Sequence, residues 1–240
     1  MKTISKSLFL LLLFLFISCK EEEKVKPKVN YDTKAKAEKA KPTDANTLLV
    51  ADLPIQMDGT SVLIHPIGEF SVRDSISRVK YSGSERESFV VSNYGEYEIT
   101  GYLSNLKFQE IGSDSLKVLT NKPMMIERVT YLKTIADKTK KQLLVYVLED
   151  MDSNKDGKLD GNDIKDLYIS TINGDNFTKL SAEFHELIDW NLIESQNRLY
   201  FRTIEDTNKN GAFDKDDKVH YHFVDLLAKE LKVEEYQPID

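Results

Sequence analysis

The sequence contains little cysteine, proline or glycine, and these shortages exclude several classes of protein. Its single cysteine, Cys19, has no partner for an internal disulfide and cannot build a cysteine-based zinc site. Six prolines and ten glycines among 240 residues are too few for a collagen-like or low-complexity chain. A hydrophobic fraction of 40% is at the same time too high for a chain that is disordered throughout. We therefore expect a folded domain.

An excess of positive charge is also missing. Lys and Arg total 33 against 40 acidic residues, which gives a formal net charge of −7. Residues 1–18 and residues 20–46 each carry a surplus of +2, so residues 47–240 hold −7 − 2 − 2 = −11. A body this acidic repels phosphate backbones, so no nucleic-acid partner is expected.

Long hydrophobic runs are absent except for one near the N-terminus. Leu8 to Ile17 is an unbroken apolar run of ten residues. A helix of that length cannot cross the roughly 30 Å hydrocarbon core of a membrane, whereas the apolar region of a signal peptide has this size. We predict that residues 1–18 are a signal peptide.

The predicted signal peptide ends in a motif that resembles the lipobox of bacterial lipoproteins. The motif is Phe16-Ile17-Ser18-Cys19, with Phe where Leu is usual. The resemblance implies that the Cys19 thiol receives diacylglycerol, that the chain is cleaved before it, and that the new amine is acylated. Each buried methylene contributes about 0.8 kcal/mol, and two or more acyl chains anchor a protein stably. The membrane is thus an expected partner, and an ordinary secretory signal is the alternative.

A short charged run follows the predicted lipidation site. Lys20-Glu21-Glu22-Glu23 resembles the surface-export signal of Bacteroidetes lipoproteins. The resemblance implies an outer-membrane lipoprotein that is exposed at the cell surface; the alternative is a charged tether without an address. Residues 19–46 are mostly Lys, Glu, Ala and Pro, with almost no apolar side chains. We predict a flexible, disordered tether that holds the folded body off the membrane.

Residues 47–240 read as an all-β domain, whose predicted strands include 97–102, 106–111, 126–134, 143–149, 166–171 and 198–205. Apolar residues come in short stretches rich in Val, Ile, Tyr, Phe and Thr, separated by turn signals such as Asp58-Gly59 and Asn173-Gly174. Residues 146–170 also align with residues 200–224 at an offset of 54, with seven of 25 positions identical. Each copy has the order strand, acidic loop, strand. A repeat of about this length is typical of blade-like arrays.

One stretch of the body resembles a known repeat. Residues 166–181 look like the outer hairpin of a TolB-like propeller blade, and Trp190 followed by Arg198-Leu199-Tyr200-Phe201 is similar to the inner strands of the next blade. The resemblance implies antiparallel four-stranded units at about 47–125, 126–184 and 185–240. The chain is accordingly similar to flavobacterial-type surface lipoproteins with propeller-like bodies. Three units are fewer than a closed propeller needs, so a small or incomplete propeller, a sandwich of blade-like sheets and an assembling unit remain open.

Two acidic loops carry the sharpest chemical signal. Residues 152–163 and 206–217 have oxygen-bearing side chains at loop positions 1, 3, 5, 9 and 12 and glycine at position 6, which is the EF-hand spacing. Calcium needs six to eight oxygen ligands around one point, and position 7 supplies a backbone carbonyl. The predicted ligands are Asp152, Asn154, Asp156, Lys158, Asp160 and Asp163 in the first loop and Asp206, Asn208, Asn210, Ala212, Asp214 and Asp217 in the second. We therefore predict two structural calcium ions.

These loops depart from EF-hands in two ways. Asp163 and Asp217 stand at position 12, where Glu is usual, although dockerin loops also use Asp there. The flanking residues favour strands rather than helices, so the loops are predicted to join strands and to be pinned by Leu159 and Phe213 at position 8. An aspartate-rich turn without metal is the alternative, but so many carboxylates in one loop repel one another unless a cation is present.

No catalytic motif accompanies these features. The leading hypothesis is a non-enzymatic, calcium-binding surface module for an unknown protein or glycan partner. The alternatives are a hydrolase or carbohydrate-active enzyme that uses carboxylates such as Glu69, Glu96 and Glu194, and a dockerin-like docking module with a helix after each loop. His220 and His222 share one face of a predicted strand, which is more typical of a solvated face than of a zinc site.

Overall fold

The computed structural model describes residues 26–32, 47–71 and 90–239. The predicted signal peptide, the lipidation site Cys19, the run Lys20–Glu23 and most of the predicted tether lie outside the described residues. Within the described part of the chain, no helix is long and apolar enough to cross a membrane.

The described residues form a succession of strands with one short helix. In chain order they are β1 (Thr47–Ala51), β2 (Ile55–Gln56), β3 (Val62–Ser71), β4 (Ser92–Tyr94), β5 (Glu98–Glu110), β6 (Lys117–Val118), β7 (Met125–Tyr131), α1 (Lys133–Thr139), β8 (Leu143–Glu149), β9 (Asp166–Thr171), β10 (Thr178–Lys179), β11 (His185–Ile193), β12 (Arg198–Glu205), β13 (Lys218–Asp225) and β14 (Val233–Glu235).

The strands build two antiparallel sheets. A ten-stranded sheet has the order β1-β3-β5-β7-β8-β9-β10, with β2 beside β3 and with β4 and β6 beside β5. A four-stranded sheet has the order β11-β12-β13-β14. Neither sheet closes on itself. The prediction of an all-β fold made of antiparallel sheets is confirmed.

The division into units differs from the prediction. The unit predicted at 185–240 corresponds to the four-stranded sheet, but those predicted at 47–125 and 126–184 form one continuous sheet. The reason is β5, which has 13 residues and pairs with β3 along one edge and β7 along the other. The sequence suggested two separate strands in this region, whereas a bulged register lets one long strand serve both neighbours.

The helix was not predicted, because the β-branched and aromatic residues of 126–134 read as one strand. The structure ends β7 at Tyr131, and α1 then places the fully buried Ile135 and the buried Ala136 against the body. Lys140 closes the helix in the left-handed conformation, with φ of 64°.

Two hydrophobic clusters form the core, and β8 contributes to both. Leu144, Tyr146 and Leu148 belong to the cluster that includes residues of β3, β5 and β7. Leu143 and Val145 point to the opposite face, into a second cluster that joins β8 and β9 to the four-stranded sheet. Because alternate residues of a strand face opposite ways, β8 must be apolar on both faces. This arrangement fixes the two hairpins that carry the acidic loops.

Candidate metal centres

Each acidic loop connects the two strands of an antiparallel hairpin. Residues 152–163 lie between β8 and β9, and residues 206–217 lie between β12 and β13. The prediction that strands rather than helices flank the loops is therefore confirmed. Because β9 and β13 follow the loops, the dockerin-like alternative lacks the helices that it requires.

The two loops have the same internal hydrogen bonds at an offset of 54 residues. At position 3, Asn154 Oδ1 accepts from the N–H of Asp156 at 2.8 Å, and Asn208 Oδ1 accepts from the N–H of Asn210 at 2.9 Å. Positions 5 and 9 repeat this turn, each accepting from the N–H two residues later. These successive turns curl alternate side chains towards one side of the backbone. The two loops therefore have the same succession of turns.

The first and last carboxylates close each loop. In the first loop, Asp152 accepts from the N–H of Gly157 at 2.9 Å, and Asp163 accepts from the N–H groups of Asp160 and Ser153 at 3.0 and 2.9 Å. Asp163 is fully buried, and burial raises the pKa of its carboxyl group.

The second loop repeats these bonds. Asp206 accepts from Gly211 at 2.7 Å, and Asp217 accepts from Asp214 and Thr207 at 2.9 and 3.1 Å. The aspartate at position 12 therefore ties the end of each loop to its beginning.

Position 6 requires glycine for a geometric reason. Gly157 and Gly211 have φ values of 83° and 85°, in the region that side chains with a Cβ rarely adopt. Lys155 and Lys209, at position 4, also have positive φ values of 61° and 56°. The same two backbone reversals occur in both loops.

The predicted ligands have suitable donor chemistry, but their carboxylates are spread. Among the described residues, no three aspartates of either loop bring oxygen atoms within 4.8 Å of one another. Lys158 and Ala212 occupy position 7, where each N–H is bonded to the side chain at position 5. Leu159 and Phe213 are half-buried and belong to neither core cluster, so their expected role in pinning the loops stays a prediction.

Residues 26–32, which we call the N-terminal segment, lie across both loops. The N–H groups of Lys28 and Val29 donate to the carbonyl oxygen of Gly211 at 2.6 and 3.0 Å. The N–H of Asn30 donates to the carbonyl oxygen of Ser153 at 2.9 Å, and Ser153 Oγ donates to the Lys28 carbonyl at 2.7 Å. Lys155 Nζ also reaches the segment, donating to a backbone carbonyl at 2.6 Å. The segment thus bridges the two loops.

Side chains of the N-terminal segment strengthen this contact. Val29 is only 3% exposed, and Lys28 Nζ lies 2.6 Å from Glu186 Oε1 on β11. Burial and the neighbouring Asp206 raise the pKa of Tyr31 to about 12. An open cavity of about 790 Å³ lies between the segment and the two loops. The sequence analysis did not predict this docking. The one local indication of it is the pair Val29 and Tyr31, which lies in an otherwise charged stretch.

The base of the first loop buries acidic groups. Glu149 is fully buried and its carboxyl oxygens have no hydrogen-bond partner among the described residues, so burial, together with the nearby Glu127, raises its pKa well above the ordinary range. Lys179 Nζ lies 3.1 Å from Asp150 Oδ2 and 2.9 Å from Asp166 Oδ2, and burial raises the pKa of Asp166.

The base of the second loop carries histidines instead. His185 on β11 and His220 on β13 have ring centroids 4.9 Å apart, and His220 Nε2 lies 2.9 Å from Glu205 Oε2. His222 is stacked on His220 at a centroid distance of 6.1 Å. Burial, with a smaller contribution from His220, lowers the pKa of His185, and burial likewise lowers that of His222.

The three glutamates of the enzymatic alternative do not form one site. Glu69 lies on β3, Glu96 in the turn before β5 and Glu194 in the turn between β11 and β12, and all three are exposed. An open cavity of about 810 Å³ between the two sheets is lined by other residues, including Lys141 and Glu230.

Comparison of the chain with protein-family models, with curated proteins and with solved structures finds no match.

Proposed function

We propose that the protein is a calcium-binding, lipid-anchored module of the cell surface, which binds a protein or glycan partner without catalysing a reaction. The observation that carries the proposal is the pair of loops with matching hydrogen bonds, bridged by the N-terminal segment. The lipobox-like sequence ending at Cys19 supports the anchor. The run Lys20–Glu23 supports display at the outer surface of an outer membrane.

Each loop would hold one structural calcium ion. In the first loop the ligands are the side-chain oxygens of Asp152, Asn154, Asp156, Asp160 and Asp163 with the Lys158 carbonyl, and in the second those of Asp206, Asn208, Asn210, Asp214 and Asp217 with the Ala212 carbonyl. Calcium takes oxygen ligands of this kind. A cation also offsets the mutual repulsion of the carboxylates. A dissociation constant of about 10⁻⁴ M is expected, at the tighter end of the range of extracellular modules.

Calcium would also fix the path of the chain between the anchor and the body. Gly211 accepts two backbone hydrogen bonds from the N-terminal segment and Ser153 makes two more. Both residues lie inside the loops. The ordering of the loops and the docking of the segment therefore stabilise each other.

Calcium binding is tested by equilibrium dialysis of the full, detergent-solubilised chain. We expect two calcium ions per chain, one fewer in Asp163→Asn, and two in the surface control Glu234→Gln. Less than one ion per chain at millimolar calcium would overturn the calcium proposal.

The anchor is tested separately, by metabolic labelling with a fatty acid in a bacterium that processes lipoproteins. The wild-type chain should be labelled and found in the membrane fraction, whereas Cys19→Ser should be unlabelled. Equal labelling of the two chains would contradict lipidation at this residue. Protease treatment of intact cells then distinguishes an outward-facing protein, which is degraded, from one that faces the periplasm.

A further inference from the structure

Three of the chain's four histidines come together at the base of the second loop, although His185 precedes the other two by more than 30 residues in the sequence. His185 begins β11 and is paired with Glu205 at the end of β12. His220 on β13 is paired with Thr203, two residues before Glu205, and so lies on the same face. Strand β12 therefore brings His185 and His220 together from its two sides.

We propose that His185, Glu205 and His220 form a binding site for a zinc-class transition-metal ion, distinct from both calcium loops. One ligand atom from each of the three residues lies within 4.8 Å of the other two. In the described ranges 26–32, 47–71 and 90–239, no other group of three His, Cys, Asp or Glu residues meets this distance. The three residues are half-buried, which leaves a route for an ion.

The donor set selects the metal. Calcium binds oxygen ligands and makes no use of imidazole, whereas two imidazole nitrogens with one carboxylate suit zinc and neighbouring transition metals. Ligand atoms around tetrahedral zinc are about 3.4 Å apart. His220 Nε2 and Glu205 Oε2, at 2.9 Å, need to separate only slightly to admit an ion.

Neighbouring groups hold the two rings in a suitable orientation. His220 Nδ1 lies 3.1 Å from Glu235 Oε1 on β14, so with a metal at Nε2 the N–H at Nδ1 would donate to this carboxylate. His185 Nδ1 lies 3.2 Å from Thr203 Oγ1, which orients the second ring. Zinc-binding histidines commonly have such a carboxylate or hydroxyl partner on the other ring nitrogen. Glu235 is therefore a positioning residue and does not itself bind the metal.

Three protein ligands would leave the fourth coordination position of a tetrahedral zinc ion to water. Three protein ligands with an open position are the arrangement of exchangeable and catalytic zinc sites rather than of closed structural ones. His222 is not required, because its ring is stacked beside that of His220 and its Nε2 is directed at Thr203 at 3.4 Å.

Zinc binding is tested on the full, detergent-solubilised chain, purified without a polyhistidine tag and carrying Cys19→Ser to remove the single thiol. Saturating calcium is present throughout, so that zinc does not compete for the loops. Equilibrium dialysis with zinc chloride should give one zinc ion per chain. His185→Gln and His220→Gln should each bind at least about tenfold more weakly. His65→Gln, which alters the fourth histidine on β3, is the matched control and should bind like the parent chain.

Glu235→Gln should weaken zinc binding about tenfold while the stoichiometry and the zinc-free melting temperature are kept. Should a histidine variant fail to fold, nitrogen NMR of the parent chain replaces it, and zinc should shift ring signals of His185 and His220 but not His65. No zinc bound at micromolar concentration, or equal binding by parent, His185→Gln and His220→Gln, would overturn the proposal. Because calcium stoichiometry is measured in the same samples, failure of the zinc site and failure of the calcium loops are distinguishable.

Discussion

The two loop-bearing hairpins share one loop design but differ in what lies beneath it. At the offset of 54, Asp166 of β9 corresponds to His220 of β13, and Tyr168 corresponds to His222. The first hairpin includes β8, which is buried on both faces and ends at a buried glutamate. The second hairpin includes the half-buried strand β13, which carries two imidazole groups. The turn-forming side chains thus specify the loop on their own, and the strands below are free to acquire different chemistry.

The loops themselves differ in charge and in which end is buried. The first has four aspartates among its predicted ligands and the second has three, because Asn210 replaces an aspartate at position 5. Asp163 closes the first loop fully buried, whereas in the second the buried carboxylate is Asp206 at position 1, with 3% exposure. The N-terminal segment also packs closely on Gly211 of the second loop. We therefore expect tighter calcium binding in the first loop and stronger coupling to the segment in the second.

Removing calcium should have the largest effect on this pair. At about 2 mM free calcium and a dissociation constant of about 10⁻⁴ M, each loop contributes about 1.8 kcal/mol to the free energy of unfolding. Chelation should therefore cost about 3.6 kcal/mol and lower Tm by roughly 10 °C. Calorimetry with and without chelator measures the shift, with magnesium as the ionic control. An unchanged Tm would contradict occupied loops.

Gly211→Ala should detach the N-terminal segment. A Cβ there would collide with the carbonyl oxygen of Val29, and the positive φ adds about 1 kcal/mol of strain. With the lost burial of Val29, a destabilisation of about 3 kcal/mol is expected.

Gly112→Ala is the matched control, because Gly112 has a φ of 89° but open space around its Cβ position, and it should cost only about 1 kcal/mol. Urea unfolding measures both variants, and hydrogen exchange at Lys28 and Val29 reports the segment directly. If Lys28 and Val29 keep their protection from hydrogen exchange in Gly211→Ala, the loop backbone has shifted and the segment has stayed docked.

Glu149→Gln should stabilise the first hairpin as pH rises. The folded-state pKa of Glu149 is raised above its ordinary value of 4.5, so the folded state binds more protons than the unfolded state above pH 4.5. Stability of the wild type then falls with increasing pH, by up to about 1.4 kcal/mol per unit. Relative to wild type, the variant should gain about 2 kcal/mol between pH 5 and pH 8. The exposed Glu234→Gln should show no such trend in urea unfolding, and a pH-independent difference for Glu149→Gln would sink this account.

The smallest expected effect is the difference between the two position 12 variants. Asp163→Asn removes one of four carboxylates and Asp217→Asn one of three. The remaining affinity of the first loop should exceed that of the second about tenfold, which is about 1.4 kcal/mol. Calcium titration calorimetry of each variant measures its weakened site. The reverse order would show that burial of Asp206, rather than carboxylate number, governs affinity.

Local patterns were sufficient to predict much of this molecule. The strands at 143–149, 166–171 and 198–205 have the predicted bounds, because unbroken apolar or β-branched runs end at strong turn signals. The loops follow from the spacing of Asp, Asn and Gly, since each turn involves residues only two apart. The placement of each loop within a hairpin was likewise predicted from its flanks.

Contacts between distant residues could not be predicted in this way. His185 lies near His220 only because β12 lies between β11 and β13. Along the sequence, the metal-binding spacing His-Glu-x-x-His that begins at His185 is broken by Asp189, so no local motif indicates the site. Docking of the N-terminal segment combines backbone hydrogen bonds with contacts of Val29 and Tyr31, and the average composition of the stretch does not reveal these contacts. The continuous ten-stranded sheet depends on the bulged register of β5, which no local signal reveals.

If Cys19 carries the proposed lipid anchor, docking of the N-terminal segment sets how high the body can stand above a bilayer. An anchor at Cys19 is seven residues from Lys26, and seven residues extend to roughly 25 Å at most. If the segment were released, the chain from Cys19 to Thr47 would be 28 residues long and could extend to roughly 90 Å. If the anchor and the calcium loops are as proposed, a drop in external calcium would release the segment and let the body move from close to the lipid headgroups to as far away as the longer chain allows.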